Sequence, residues 1–444
     1  MPSARPMANP ALRGFWSGSM LTRIEAYRYK CFLKMAVDVG GYNVIAGPNG
    51  SGKTTLLDIP GLIGELIAAR RIADPFLYPR DAAGPRAERL SNLVHRNRGD
   101  DFYFAIEARL PAAECRALDP EGRLTHIRYE LRFQVLNDNA LEVLNEYLFA
   151  FDPTTNPPAR GVGLQGEPEE RRRASRHLLR ERSWQSIIHR EGGDPAALFE
   201  ETESRPRQLQ YKIAATQLAL ANVPADQTLF PASVWLANFL RDGTTFFQPT
   251  VRDLRRAAPP GTGDKIDETG ANIARLAFDL QRDQPDRFAA WVDHVRTALP
   301  RISNITVQER QDDRYVYLQA RYGDDYDVPA SGLSEGTLRF LALTLLPYLE
   351  VTPSILVTEE PENGVHPRAL EAALLSLQSL YDSQIWLSTH SPVVLATTPL
   401  ENLLLSLVDD DGEASVISGH EHERLVEWKG TIDLGTLFAA GALG

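Results

Sequence analysis

Residues 47–54 read Gly47-Pro-Asn-Gly-Ser-Gly-Lys-Thr54 and fill every fixed position of the pattern G-x-x-x-x-G-K-[ST]. The chain is poor in lysine and only moderately rich in glycine, so a chance match is expected ~0.003 times over its length. The spacing has a mechanical reason. Glycines let the backbone curl so that successive N–H groups point inward around phosphate oxygens, and the helix that follows adds its positive N-terminal end. Gly47, Pro48, Asn49, Gly50, Ser51, Gly52 and Thr55 are therefore candidate phosphate-binding positions. Lys53 is placed to reach β- and γ-phosphates, and the Thr54 hydroxyl to ligate Mg²⁺.

The flanks agree with this reading. Tyr42-Asn-Val-Ile-Ala46 is a short apolar run that predicts a strand. From Lys53 to about Arg71, Leu56, Leu57, Leu62, Ile63, Leu66 and Ile67 predict a helix with a broad apolar face, in which Pro60 can introduce a bend. Three later segments carry compatible chemistry. Ser354-Ile-Leu-Val-Thr-Glu-Glu-Pro361 is an apolar strand ending in paired carboxylates, with Glu359 a candidate metal ligand and Glu360 a candidate to orient or deprotonate water. Ser331-Gly-Leu-Ser-Glu-Gly-Thr337 precedes an apolar-striped helix that Ser334 can cap, and Gly336 allows close approach to an anion. Ile385-Trp-Leu-Ser-Thr-His-Ser-Pro392 is a strand whose end delivers His390.

Strand and helix signals alternate at both ends of the 444 residues, around a central break in composition. The fold class expected is α/β, a P-loop core assembled from N- and C-terminal segments around a mainly helical insertion. The expected boundaries are a disordered tail at 1–19, a core half with antiparallel strands at 20–150, a helical and Arg-rich insertion at 151–300, and a second core half at 301–444. Hydrophobic residues at 43% and charged residues at 24% exclude wholesale disorder. No apolar run approaches the ~20 residues of a membrane span. Two cysteines, Cys31 and Cys115, make no disulfide framework, and a cytoplasmic location is expected. A net charge of −12 argues against a surface coated for nucleic acid. It leaves room for a local basic patch, because Arg160, Arg171, Arg172, Arg173, Arg176, Arg180, Arg182 and Arg190 fall within 31 positions. That cluster is a candidate for nucleic-acid phosphates or an acidic partner, or is a solvated helix face.

In this order the four segments resemble those of ABC-type ATPases. Ser334-Glu-Gly-Thr337 is similar to the family's signature loop, Glu360 to its catalytic glutamate and His390 to its switch histidine. Glu359-Glu-Pro-Glu-Asn-Gly-Val-His-Pro367 and Ser388-Thr-His-Ser-Pro392 resemble the RecF/SMC/OLD-like branch, and 267–276 resembles a segment of its stand-alone ATPases. The resemblance implies ATP and Mg²⁺ as cofactors and a homodimer, or a higher even oligomer, that sandwiches ATP. Ser334, Glu335 and Gly336 would then serve the partner's nucleotide. Glu359 stands where the family has aspartate, and His366 near its D-loop aspartate. No glutamine lies between Thr54 and Gln134, which leaves His95, Asn92 or no residue in the family's Q-loop role. These departures suggest slow hydrolysis. Only 54 residues follow His390, too few for the nuclease module that OLD-type proteins carry there. The resemblance thus points to a sensor ATPase with a nuclease-like effector in trans, in bacterial anti-phage defence. A DNA-repair or chromosome-maintenance ATPase that binds DNA directly is the alternative. A transporter subunit fits poorly, because Ser334 follows Lys53 by far too long an interval.

Overall fold

The five residues of β3 (Tyr42–Ala46) are all buried, as befits a parallel strand covered on both faces. Val44 and Ile45 are fully enclosed, and each such burial stabilises by roughly 1.5–3 kcal/mol. The structure, a computed structural model, describes residues 20–78, 84–154, 184–192, 196–199, 201–202, 208–261, 263, 265–323, 326–426 and 433–440. Within it β3 lies inside a six-stranded sheet. Its neighbours, across the sheet, are β10 (Thr244–Phe246), β14 (Ile355–Glu359) and β15 (Gln384–Thr389) on one side, and β16 (Leu403–Val408) and β17 (Ala414–Ser418) on the other. Every pair from β10 to β16 is parallel, and β16–β17 is an antiparallel hairpin around Asp409–Gly412. The register sets Glu359 beside Ser388 and Thr389 beside Ala46. Three strands from distant parts of the chain therefore end level, at the carboxyl edge where open α/β sheets bind ligands.

A second, antiparallel sheet runs in the order β2 (Phe32–Asp38), β1 (Met20–Tyr29), β4 (Asp101–Arg109), β5 (His126–Asn137), β6 (Ala140–Phe151), β7 (Trp184–Glu191), β8 (Ala196–Phe199), β9 (Gln208–Tyr211). The Gln384 side chain ties the two sheets together. Its Oε1 accepts from the Leu21 N–H at 3.1 Å, and its Nε2 donates to Leu21 O at 2.9 Å and Gly40 O at 2.6 Å. On β5, the Arg128 guanidinium, 2% exposed, reaches Glu25 at 2.8 Å, Glu107 at 2.9 Å and Glu130 at 2.5 Å. A third sheet joins β11 (Ile302–Glu309), β12 (Val316–Tyr322) and β13 (Tyr326–Pro329).

The longer helices are α1 (Lys53–Ala68), α2 (Pro231–Gly243), α3 (Ile273–Asp283), α4 (Pro285–Ala298), α5 (Glu335–Leu345) and α6 (Pro367–Gln378). All six leucines and isoleucines that predict α1 are buried, and Pro60 is accommodated within it. The span 151–300 carries strands as well as helices. Helices α2 to α4 lie in it, yet β7, β8 and β9 lengthen the antiparallel sheet and β10 pairs with β14. A three-residue strand has no period to read, and β7 is buried at three consecutive positions, Ser186, Ile187 and Ile188, so it shows no alternation. The chain before residue 20 lies outside the described residues.

Candidate functional site

The loop between β3 and α1 closes on Gly52, whose φ of 99° lies in the left-handed region open to glycine. A side chain there would also strike the Phe32 ring at 2.7 Å and Cys31 Sγ at 2.8 Å. Lys53 begins the helix with its side chain turned back over the loop, Nζ donating to Gly47 O at 2.9 Å and Pro48 O at 2.8 Å. Burial lowers the Lys53 pKa, and the charges of Glu360 and Glu359 oppose that shift. Ser51 is fully buried and its Oγ has no hydrogen-bond partner among the described residues.

Thr54 Oγ1 donates to Glu359 Oε2 at 3.0 Å, across 305 residues of sequence. The longer glutamate arm, in place of aspartate, thus reaches the hydroxyl that ends the loop. Burial raises the Glu359 pKa. The Glu360 charge adds to this, whereas the Thr54 hydrogen bond and Lys53 oppose it. Gln248, just beyond β10, braces the same residue. With its amide oriented to match, it donates to Glu359 O at 3.3 Å and accepts from Glu359 N at 3.1 Å.

Glu360 leaves the strand with a φ of 44°, unusual for a residue with a side chain. Its N–H donates to Ser388 O at 2.9 Å. Its carboxylate accepts from Asn363 Nδ2 at 2.7 Å through Oε2, and Oε1 stands 3.6 Å from His390 Nε2. A cavity of about 260 Å³ joins these groups. It is lined by Asn49, Gly50, Gly52, Lys53, Thr54 and Thr55 of the loop, and by Glu359, Glu360, Ser388 and His390 of the strand ends. Lys30 and Cys31, from the β1–β2 turn, complete the lining and carried no signal in the sequence.

Ser334, Glu335 and Gly336 do not line this cavity. They form the start of α5, with Ser334 and Glu335 exposed and Gly336 half-buried; Ser334 Oγ accepts from Thr337 N–H at 3.2 Å and Glu335 pairs with Arg339 at 3.0 Å. Gly336 packs backbone to backbone on the turn after Glu360, since a Cβ there would lie 2.2 Å from Gly364 O. Neither candidate for the Q-loop role lines the cavity. His95 is buried, with Nδ1 2.9 Å from Lys30 O, and Asn92 faces solvent. His366 caps α6, accepting from Arg368 N–H at 3.2 Å.

Arg160, Arg171, Arg172, Arg173, Arg176, Arg180 and Arg182 lie outside the described residues. Arg190 departs from the reading that grouped it with them. It is 4% exposed on β7 and donates to the carbonyls of Gln217 at 2.8 Å and Ala214 at 3.0 Å, so it offers nothing to a nucleic acid.

The residues present fit a nucleotide and a divalent cation. The loop's backbone cradle, the orphaned Ser51 hydroxyl and an ammonium capping two loop carbonyls suit phosphate. Thr54 and Glu359 supply hard oxygen ligands, and Mg²⁺ typically takes one or two of these from protein and the rest from phosphate and water. Lys53→Ala is expected to lower ATP affinity at least about a hundredfold, since charge-assisted contacts to phosphate are lost from a half-buried site. Titration with a fluorescent ATP analogue checks this, and near-normal affinity would remove Lys53 from the site.

A family model described as "AAA domain, putative AbiEii toxin, Type IV TA system" matches residues 42–396. Over 108 residues the chain is 32% identical to the chromosome partition protein Smc of Thermoplasma acidophilum, and the match spans 24% of this chain and 8% of that protein. The fold is similar to an Smc head crystallised with the C-terminal winged-helix domain of ScpA (TM-score 0.49, 12% identity, 89% of this chain and 96% of that one). It is also similar to a Pyrococcus furiosus Smc head domain with an extended coiled coil, bound to the C-terminal domain of ScpA (TM-score 0.44, 12% identity, 92% and 99%). A Thermotoga maritima SMC head domain gives a TM-score of 0.40 at 11% identity, over 90% and 98% of the two chains.

Proposed function

The chain belongs to the AAA-domain family described as a putative AbiEii toxin of a type IV toxin–antitoxin system, and from that premise we propose that it is an ABC-type ATPase of the RecF/SMC-like branch that binds and slowly hydrolyses ATP as the sensor for a separate effector. The observation that carries this is the Thr54–Glu359 contact, which joins the phosphate loop to the carboxylate pair in one cavity. Lys53 and the loop N–H groups bind and orient the phosphates. Glu360 aligns a water and takes its proton, and His390, facing the same carboxylate, holds the γ-phosphate end. Thr54 and Glu359 would hold Mg²⁺, which would supply charge neutralisation of the triphosphate.

The exposed cap of α5 supports a head-to-tail dimer, in which Ser334, Glu335 and Gly336 of one subunit complete the partner's nucleotide site. Ser334→Arg is expected to abolish ATP-dependent dimerisation and leave ATP binding by the monomer intact. Analytical ultracentrifugation with and without ATP checks it, and an unchanged dimerisation curve would contradict the assignment.

The effector is proposed to be nuclease-like and the setting anti-phage defence, in the cytoplasm. Among the described residues no helix is long and apolar enough to cross a membrane. The direct test is the native mass spectrum of Glu360→Gln, purified from its host in ATP and Mg²⁺. An even number of copies plus a foreign subunit supports the sensor reading and identifies the effector. A bare homodimer overturns the effector in trans and favours direct action on DNA.

A further inference from the structure

Glu362 lies two residues beyond Glu360, at the start of the turn leading to α6. Its Oε1 accepts from Thr389 Oγ1 at 2.6 Å and from the His390 backbone N–H at 3.1 Å. The Thr389 hydroxyl in turn accepts from Ser391 N–H at 2.9 Å. One carboxylate oxygen therefore anchors three consecutive residues where β15 ends and regular pairing no longer restrains the chain. The other oxygen, Oε2, is buried and has no hydrogen-bond partner among the described residues. On the other side of the same turn, Asn363 Nδ2 holds Glu360 Oε2. The turn thus grips both groups that face each other across the cavity, Glu360 through Asn363 and the backbone of His390 through Glu362.

We propose that Glu362 is a positioning residue for hydrolysis, fixing the 389–391 segment so that the His390 ring faces Glu360, and that it acts as a hydrogen-bond acceptor rather than as a charge. The inference rests on the ATPase reading of Glu360 and His390. Both donors to Oε1 are neutral groups, and a single carbonyl oxygen has lone pairs for both, so glutamine can do the same work. Loss of the acceptor frees the histidine's backbone, and misplacement of a reacting group by ~1 Å costs about 100-fold in rate.

The experiment compares Glu362→Ala and Glu362→Gln, each alone and combined with His390→Ala, in the full-length protein. ATP turnover, ATP affinity and the ¹H–¹³C spectrum of the histidine rings are measured, with the His390 signal identified by its loss in His390→Ala. Glu362→Ala is expected to lower kcat by about 10–100-fold with affinity within about twofold, and to cause no further loss in the His390→Ala background. The His390 signal should shift or broaden in Glu362→Ala and stay in place in Glu362→Gln, which should keep most of the turnover. Should Glu362→Ala fail to fold, Thr389→Val removes one of the two anchors and is expected to show the same defect in weaker form. An unchanged kcat, an equal fold-loss in the absence of His390, or an unmoved His390 signal would each overturn the proposal. A wild-type protein without ATP turnover would refute the ATPase reading instead, and the histidine spectra alone would then decide on the positioning.

Discussion

Glu360→Gln is expected to bind ATP as the wild type does while its turnover falls by a factor of about 10²–10⁴, the usual worth of a positioned general base. The substitution keeps the size of the side chain and an oxygen to accept from Asn363 Nδ2, so the turn should stay in place. What it removes is the acceptor for a proton. Glutamine cannot take one, and the neighbouring carboxylates already have other work, Glu359 accepting from Thr54 and Glu362 from Thr389 and His390. Single-turnover hydrolysis and an equilibrium affinity, measured on the same preparation, separate the two effects. Turnover within a factor of about two of wild type would take Glu360 out of the proton-accepting role.

The second large effect concerns stability. Arg128→Met is expected to destabilise the fold by about 3–5 kcal/mol at pH 7, because removing one partner of a buried ion pair leaves the others uncompensated. The loss is a large part of the ~5–15 kcal/mol that holds a typical protein together. Arg128 is 2% exposed and faces Glu25, Glu107 and Glu130 on β1, β4 and β5. Urea denaturation followed by tryptophan fluorescence checks it, and a midpoint unchanged from wild type would show that the carboxylates find other partners. The same cluster predicts acid sensitivity. Burial raises the Glu25 pKa, but Arg128 and Arg23 outweigh it and bring the carboxyl from 4.5 down to about 2. A depressed carboxylate adds stability above its unfolded pKa, so this contribution is present above pH 4.5 and is lost as pH falls toward 2. Glu130 opposes the trend, since burial holds its pKa above the ordinary value.

The phosphate loop was legible because its chemistry is local. Eight consecutive residues must curl around an anion, and few other sequences do so. The two ends of the core were legible for a related reason, as β3, β14 and β15 are short apolar runs whose ends the register brings to one edge. The lining by Lys30 and Cys31 was not, because a β-turn passes near the loop only once β1 and β2 have paired and packed. The bracing of Glu359 by Gln248 was hidden for the same reason, since it depends on a three-residue strand joining a sheet built mostly from residues more than a hundred positions away. Arg190 shows the converse. Its neighbours in sequence suggested a solvated basic face, but its side chain points into the protein, where loop carbonyls surround it.

The order of strands has a consequence for how the chain is made. Leu21 and Gln384, which bind each other through backbone and side chain, stand 363 residues apart, and β3 takes both its sheet neighbours from the far end of the chain. At ~5–20 residues per second the ribosome needs roughly 20–70 s after β3 emerges before its sheet neighbours exist. Throughout that interval an apolar strand waits with both edges open, a setting in which nascent chains pair with the wrong neighbour. A fragment released before residue 384 would carry the whole phosphate loop and yet have no strand to set it against.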